Sequence, residues 1–227
     1  MNIEKFRKFL DEIEVQTSRD ETGKIVVEEG FKYSKNFWNY YNEKQFCIQH
    51  MDLEDVKTVC DIGAGVGLIG VLLNQWYNIE VEATDVKATF DGGIFQQMFA
   101  KMKTPRHLLE IKNKQSIVLP KHYDMITITR SVFDREELPN GYKNKYPDEL
   151  FDYEYFLDDI FKHCNKLFWK TNWQSWATQK VFPESVRPFL WWPEKNRSSK
   201  DNVRNNSMAK PYRAWYIILT KEEWENR

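Results

Sequence analysis

The chain has 227 residues, 41% of them hydrophobic and 30% charged. That gives room for one sizeable core and sets it apart from disordered chains. Its 33 basic and 34 acidic side chains leave a net charge of −1, so there is no general attraction to nucleic acid or to an anionic membrane, and any such affinity needs a local patch. The first residues, Met1-Asn2-Ile3-Glu4-Lys5-Phe6, lack the charged-then-apolar layout of a signal peptide, and no apolar run reaches the roughly 18 residues that span a bilayer. Cys47, Cys60 and Cys164 are scattered and form no CxxC pair, which predicts free thiols in a cytoplasmic protein, with no disulfide framework and no zinc site.

Apolar residues at Ile3, Phe6, Phe9, Leu10 and Ile13 have helical spacing and predict a helix over 3–14. A polar stretch over 17–30 follows, then a second helix over 34–50 with Phe37, Trp38, Tyr41 and Phe46 as its apolar stripe. From Lys57 the rhythm becomes strand–helix alternation, the signature of a parallel sheet. Strands are predicted over 58–62, 79–84, 108–112, 124–129, 167–171 and 214–220, and helices over 68–76, 88–102 and 148–164. Residues 172–213 show little periodicity, and no internal repeat or linker interrupts the chain. The expected organisation is a helical cap over 1–52 and a core over 53–227, forming a single domain.

The first strand runs into Asp61-Ile62-Gly63-Ala64-Gly65-Val66-Gly67, and a helix opens at once. A tight strand-to-helix turn whose bare backbone must approach a ligand calls for glycine, because a Cβ would be in the way. The helix then presents free N–H groups and its positive dipole end to that ligand. Asp85 closes the next strand, about where a carboxylate accepts the two hydroxyls of a ribose.

These residues resemble the first motif of the class I, seven-stranded, S-adenosylmethionine-dependent methyltransferases, whose acidic-x-Gly-x-Gly-x-Gly form is matched at every fixed position. Asp85 falls where that family's ribose-binding acid ends the second strand. Tyr123-Asp124-Met125-Ile126-Thr127-Ile128 resembles its fourth-strand signature of an aromatic residue, an aspartate and apolar residues. The resemblance covers about residues 57–134. It implies a three-layer α/β/α Rossmann-like methyltransferase fold with a mostly parallel seven-stranded sheet and an N-terminal helical extension, and S-adenosyl-L-methionine as cofactor. By position it implies cofactor contacts at Asp61, Gly63, Ala64, Gly65, Gly67, Asp85, Val86, Gln115, Ser116 and Arg130, with Asp61 near the methionine amino group and Asp85 on the ribose. The family often has an acid four residues before a Leu-Pro, where it reads the adenine amine. Ahead of Leu119-Pro120 this chain has Gln115 instead, whose carbonyl can still accept a hydrogen bond from an amine.

Gly65-Val66-Gly67-Leu68-Ile69-Gly70 also satisfies GxGxxG, so a NAD-dependent oxidoreductase is the rival enzyme reading. Asp61 argues against it: a carboxylate before the loop suits an ammonium and a sulfonium, and repels a pyrophosphate. A catalytically silent domain that binds the cofactor or a partner is the third reading. The acceptor side reads Thr129-Arg130-Ser131-Val132-Phe133-Asp134. It lacks the Asn/Asp-Pro-Pro-Tyr turn of adenine-N6 enzymes and the Pro-Cys nucleophile of cytosine-C5 enzymes, and it leaves Arg130 and Asp134 as the catalytic candidates. Tyr33, Trp38 and Tyr41 are candidates to flank the cofactor. The four histidines have no ligand-spaced partner, so no metal is expected. Residues 194–213 hold Lys195, Arg197, Lys200, Arg204, Lys210 and Arg213 against Glu194 and Asp201. This is either a solvated loop or a clamp on an anionic small or medium-sized acceptor such as a phosphate, a sugar nucleotide or, less favoured, RNA. Trp173, Trp176, Trp191 and Trp192 just ahead of it could stack on a ring of that acceptor.

Overall fold

The computed structural model describes residues 1–17, 33–34, 36–86, 93–129, 151–170, 182–191 and 216–227. Two helices, α1 (Ile3–Thr17) and α2 (Phe37–Gln49), precede β1 (Thr58–Ile62), α3 (Leu68–Tyr77), β2 (Glu80–Asp85), α4 (Gly93–Met102) and β3 (Arg106–Leu108). Then come β4 (Tyr123–Thr129), α5 (Tyr153–Ile160), β5 (Cys164–Lys170), a 3₁₀ turn over Arg187–Phe189, β6 (Leu190–Trp191), β7 (Tyr216–Thr220) and α6 (Lys221–Glu225). The strands form one sheet in the order β3-β2-β1-β4-β5-β7-β6. The first five are parallel, and β7 alone runs against its neighbours β5 and β6. The chain therefore has the mostly parallel, seven-stranded Rossmann-like α/β fold that the resemblance implied.

Alternation along the strands sends side chains into two apolar layers. Val59, Val81, Met125 and Phe168 pack under α1–α4 with Phe6, Leu10, Phe37, Leu72 and Met98. Cys60, Ile62, Ile126, Ile128, Leu167 and Trp169 pack on the other side with Phe156, Ile160 and Trp224 from α5 and α6. With both faces covered, β2 does not show the alternation of a half-exposed strand: Val81 through Asp85 are all buried. At the opening end, Asp124 Oδ2 accepts from the amides of Lys57 (2.9 Å) and Thr58 (2.8 Å) and from the Thr58 hydroxyl, locking the starts of β1 and β4 together. Burial opposes the charge, but these three donors hold Asp124 below the usual carboxylate range.

Several elements differ from the sequence-based expectation, which has no strand at Leu190–Trp191 and opens β5 at 167, three residues after its actual start at Cys164. The third strand is Arg106–Leu108 and not 108–112, because Leu109 and Ile111 turn into the α5-side core and the Leu109 amide donates to Asp85 O. Helix α5 ends at Ile160, short of 164, because the register pairs Cys164 with Tyr123 as the opening of β5. Its Asp152 caps the start by accepting from the Tyr155 amide at 3.0 Å, a signal visible in the sequence. The buried side of α2 is Phe37, Glu43, Cys47 and Ile48, whereas Trp38 is 47% exposed. Helix α6 was not anticipated, although Thr220 and Glu223 spell the capping box that starts it. No helix among the described residues is long and apolar enough to cross a membrane.

Candidate functional site

The five parallel strands end on one edge, with Ile62, Asp85, Leu108, Thr129 and Lys170 as their last residues. From β1 the connections run outward to β2 and β3, then return to β4 on the other flank. The crevice beyond β1 and β4 is therefore the topological switch point, where open α/β sheets hold ligands. The glycine loop occupies it. Gly63, Gly65 and Gly67 have φ of 68°, 56° and 79°, a left-handed run that L side chains resist. The amides of Gly63 and Ala64 donate to Thr84 O at 2.9 and 3.3 Å, tying the loop to the end of β2, and Gly67 N closes the turn on Ala64 O at 2.9 Å.

Gly67 is the most constrained of the three. A Cβ there would lie 2.6 Å from Met102 Cε and 3.0 Å from Phe99 Cζ. Gly67→Ala therefore combines the left-handed φ with displacement of α4 side chains. We expect it to cost about 1–2 kcal/mol and to lower Tm by about 5 °C in thermal unfolding. An unchanged Tm would show that the loop takes another conformation.

Asp61, one residue before the end of β1, is 2% exposed and points towards the α1–α4 layer. Its Oδ1 accepts from Thr127 Oγ1 at 2.9 Å, its neighbour in the β4 register. Burial pushes its carboxyl up to about 6, against the opposing pull of the Lys44 ammonium and the Thr127 hydroxyl, while the Asp85 charge adds to the rise.

Sequence reasoning missed the residues around it. From α2, Lys44 Nζ donates to Thr129 Oγ1 at 2.7 Å. Glu43, fully buried, accepts from Lys170 Nζ at 2.9 Å. Thr129 and Lys170 are register partners at the ends of β4 and β5. Asp61, Thr127, Thr129 and Lys170 thus form a polar row across three strands, covered by Glu43 and Lys44. The one readable trace was Thr127-Ile128-Thr129, two hydroxyls at alternate positions in the part of β4 that is otherwise apolar from Met125 onward.

Asp85 closes β2 as expected. Its Oδ1 accepts from the Val86 amide at 2.9 Å, and its Oδ2 lies 3.5 Å from Arg106 Nη2. Of the three cap aromatics singled out in the sequence, Tyr33 lies at the loop. Its hydroxyl is 3.6 Å from where a Gly65 Cβ would stand, and its ring packs on Tyr40 (5.1 Å) and Phe95 (5.9 Å). Trp38 and Tyr41 instead cluster with Trp76, and Arg7 lies over the Trp38 ring. Gln115 and Ser116 are both exposed, and the Ser116 hydroxyl lies 3.1 Å from that of Tyr155 on α5. Trp191 packs between His50 and Tyr216. Arg130, Asp134, Trp173, Trp176, Trp192 and the basic segment 194–213 lie outside the described residues.

All three cysteines are buried and none is in a disulfide, and burial pushes the Cys60 and Cys164 thiols up, which disfavours their thiolate form. Among the described residues no group of three or more His, Cys, Asp or Glu is placed to hold a metal ion.

No family model matches the chain, and no curated protein matches it. Similar solved structures include the O-methyltransferase from the trans-AT PKS multienzyme of Brevibacillus brevis in complex with S-adenosyl-L-homocysteine. It shares 15% identity over 63% of this chain and 45% of its own, with a TM-score of 0.40. Coclaurine N-methyltransferase bound to N-methylheliamine and S-adenosylhomocysteine has 16% identity over 75% of this chain and 44% of its own, with a TM-score of 0.41. The S-adenosylmethionine-dependent methyltransferase SibL in its apo form has 13% identity over 75% and 48%, with a TM-score of 0.45. The chain spans about half the length of these three structures.

Proposed function

We propose that this chain binds S-adenosyl-L-methionine across the glycine loop and transfers its methyl group to a small or medium-sized acceptor. The observation that carries the reading is a pair of carboxylates, Asp61 and Asp85, flanking a left-handed glycine loop at the switch point of a parallel sheet. In this reading the bare backbone of Gly63, Ala64, Gly65 and Gly67 carries the methionine half, and Asp61 faces its ammonium. Asp85 accepts the ribose hydroxyls, with the Val86 backbone beside them. A buried carboxylate next to the loop also disfavours a pyrophosphate, which separates this cofactor from NAD. Lys44 beside Asp61 complements the zwitterion, since an amino acid brings a carboxylate together with its ammonium.

Methyl transfer needs an acceptor lone pair in line with the sulfonium methyl, so much of the rate comes from positioning. A hydroxyl acceptor also needs a base, whereas an amine brings its own lone pair. Arg130 and Asp134, just past β4, remain the candidates for that contact, and segment 194–213 the candidate clamp for an anionic acceptor. Gln115 and Ser116 stay candidates for the adenine edge.

The test is a thermal-shift or calorimetric titration with S-adenosylmethionine, S-adenosylhomocysteine and NAD. The first two are expected to stabilise the chain and NAD is not. Asp85→Ala should weaken S-adenosylhomocysteine about 10- to 30-fold, or about 1.4–2 kcal/mol, since it leaves the ribose hydroxyls without their acceptor. Stabilisation by NAD alone would overturn the reading.

A further inference from the structure

We infer that Arg106 is a positioning residue for the ribose: it sets the plane of the Asp85 carboxylate and links it to the glycine loop. The inference rests on the cofactor reading above. Arg106 opens β3, a three-residue strand at the edge of the sheet, where a long cation would ordinarily reach into solvent. Its side chain is instead only 7% exposed. The register pairs Arg106 with Ala83, two residues before Asp85 on the same face of β2, and the small alanine leaves the guanidinium room to lie along the sheet.

Two of its contacts place it between the carboxylate and the loop. Nη2 stands 3.5 Å from Asp85 Oδ2, while the other oxygen, Oδ1, accepts from the Val86 amide. The guanidinium carbon lies 5.0 Å from the centre of the Phe99 ring. That same ring fills the space in front of Gly67, where a Cβ would come within 3.0 Å of Phe99 Cζ. Loop, ring, guanidinium and carboxylate thus form one continuous stack from Gly67 to Asp85.

The chemistry follows from what each oxygen already does. An ionised carboxylate offers about four lone-pair positions, and here each oxygen has one partner inside the protein. Rotating the carboxylate would break the Val86 bond and move Oδ2 away from the guanidinium, so the two partners together favour one plane for it. A ribose diol then meets an acceptor whose rotamer is already set. A lysine at 106 would supply the charge without the planar fork or the stacking on Phe99.

The experiment is a comparison of two ligands by calorimetry: S-adenosylhomocysteine and its analogue lacking both ribose hydroxyls. Arg106→Gln is expected to weaken S-adenosylhomocysteine about tenfold and the dideoxy analogue less than twofold. In an Asp85→Asn background the Arg106→Gln penalty should vanish. Arg106→Lys, which keeps the charge if Arg106→Gln folds poorly, should fall between wild type and Gln for the natural ligand alone. An equal penalty on both ligands, or one that persists beside Asp85→Asn, means that the arginine only holds the fold, and the inference fails while the cofactor reading stands. A wild-type chain that binds no S-adenosylhomocysteine overturns both.

Discussion

Lys170→Met is expected to destabilise the chain by about 3–5 kcal/mol, measured by urea unfolding at neutral pH. The Lys170 and Glu43 side chains are 2% and 1% exposed and 2.9 Å apart, so neither can recover water when the other is removed. The cost is the desolvated charge left behind, and not the worth of the pair itself. Glu43→Leu combined with Lys170→Met should therefore recover most of the loss, because apolar groups of similar size fill the space without a stranded charge. Lys44 lies 3.8 Å from Glu43 and compensates in part, which places the single variant at the lower end of the range. If the double variant were as unstable as the single one, the charge explanation would fail and a packing defect would replace it. The pair also ties α2 to the end of β5, which is what brings Lys44 over Thr129 and beside Asp61. Lys170→Met should therefore weaken S-adenosylhomocysteine binding in the fraction that stays folded.

The second large effect concerns Asp61 and pH. Its pKa in the folded chain is about 6, raised above the ordinary carboxylate value by burial. A raised acid pKa means that the folded state holds the proton more tightly than the unfolded one. The resulting stability is fully present below about pH 4 and is lost as pH rises through 6. The ligand-free chain at pH 8 thus carries a buried carboxylate costing about 3 kcal/mol, which Asp61→Asn removes. The stability difference between Asp61→Asn and wild type should grow from about pH 4 to about pH 7 and then level off.

Binding runs the other way. If Asp61 faces the cofactor ammonium as proposed, that ammonium selects the ionised form, and wild-type affinity for S-adenosylhomocysteine should fall about tenfold between pH 6.5 and pH 5, as the competent fraction falls. In Asp61→Asn the profile should be nearly flat over that interval, at a weaker absolute affinity. A pH-independent wild-type affinity would mean that Asp61 does not face the ammonium. On the proposed reading, the bound ligand offsets the cost of the buried acid to the fold.

Much of this site was legible along the chain. The left-handed glycines at 63, 65 and 67 follow from a strand running into a helix with no residue to spare, and that constraint is local. The place of Asp85 at the end of β2 was legible from its distance beyond the glycine loop, at the close of the next strand. The seven strands were less evenly visible. β1 and β4 are bounded by charged and glycine residues. β3 was misplaced because Leu109 and Ile111 carry the apolar alternation of a strand while turning into the core, and β6 is too short to show any period.

What the sequence by itself determined is what repeats at short range: the loop, the capped helices, and the parallel alternation that carries Asp61 and Asp85 to one edge. What only the tertiary structure decided is which charges meet there. Glu43 and Lys170 are 127 residues apart, Lys44 and Thr129 are 85, and Asp85 and Arg106 are 21. Each of these pairs looks along the chain like two ordinary surface charges or hydroxyls. They become a buried polar row and an oriented carboxylate because sheet register and the seat of α2 remove water around them. Burial of a charge, unlike periodicity, belongs to the assembled fold, and the sequence around Glu43, Lys44 and Lys170 does not announce it.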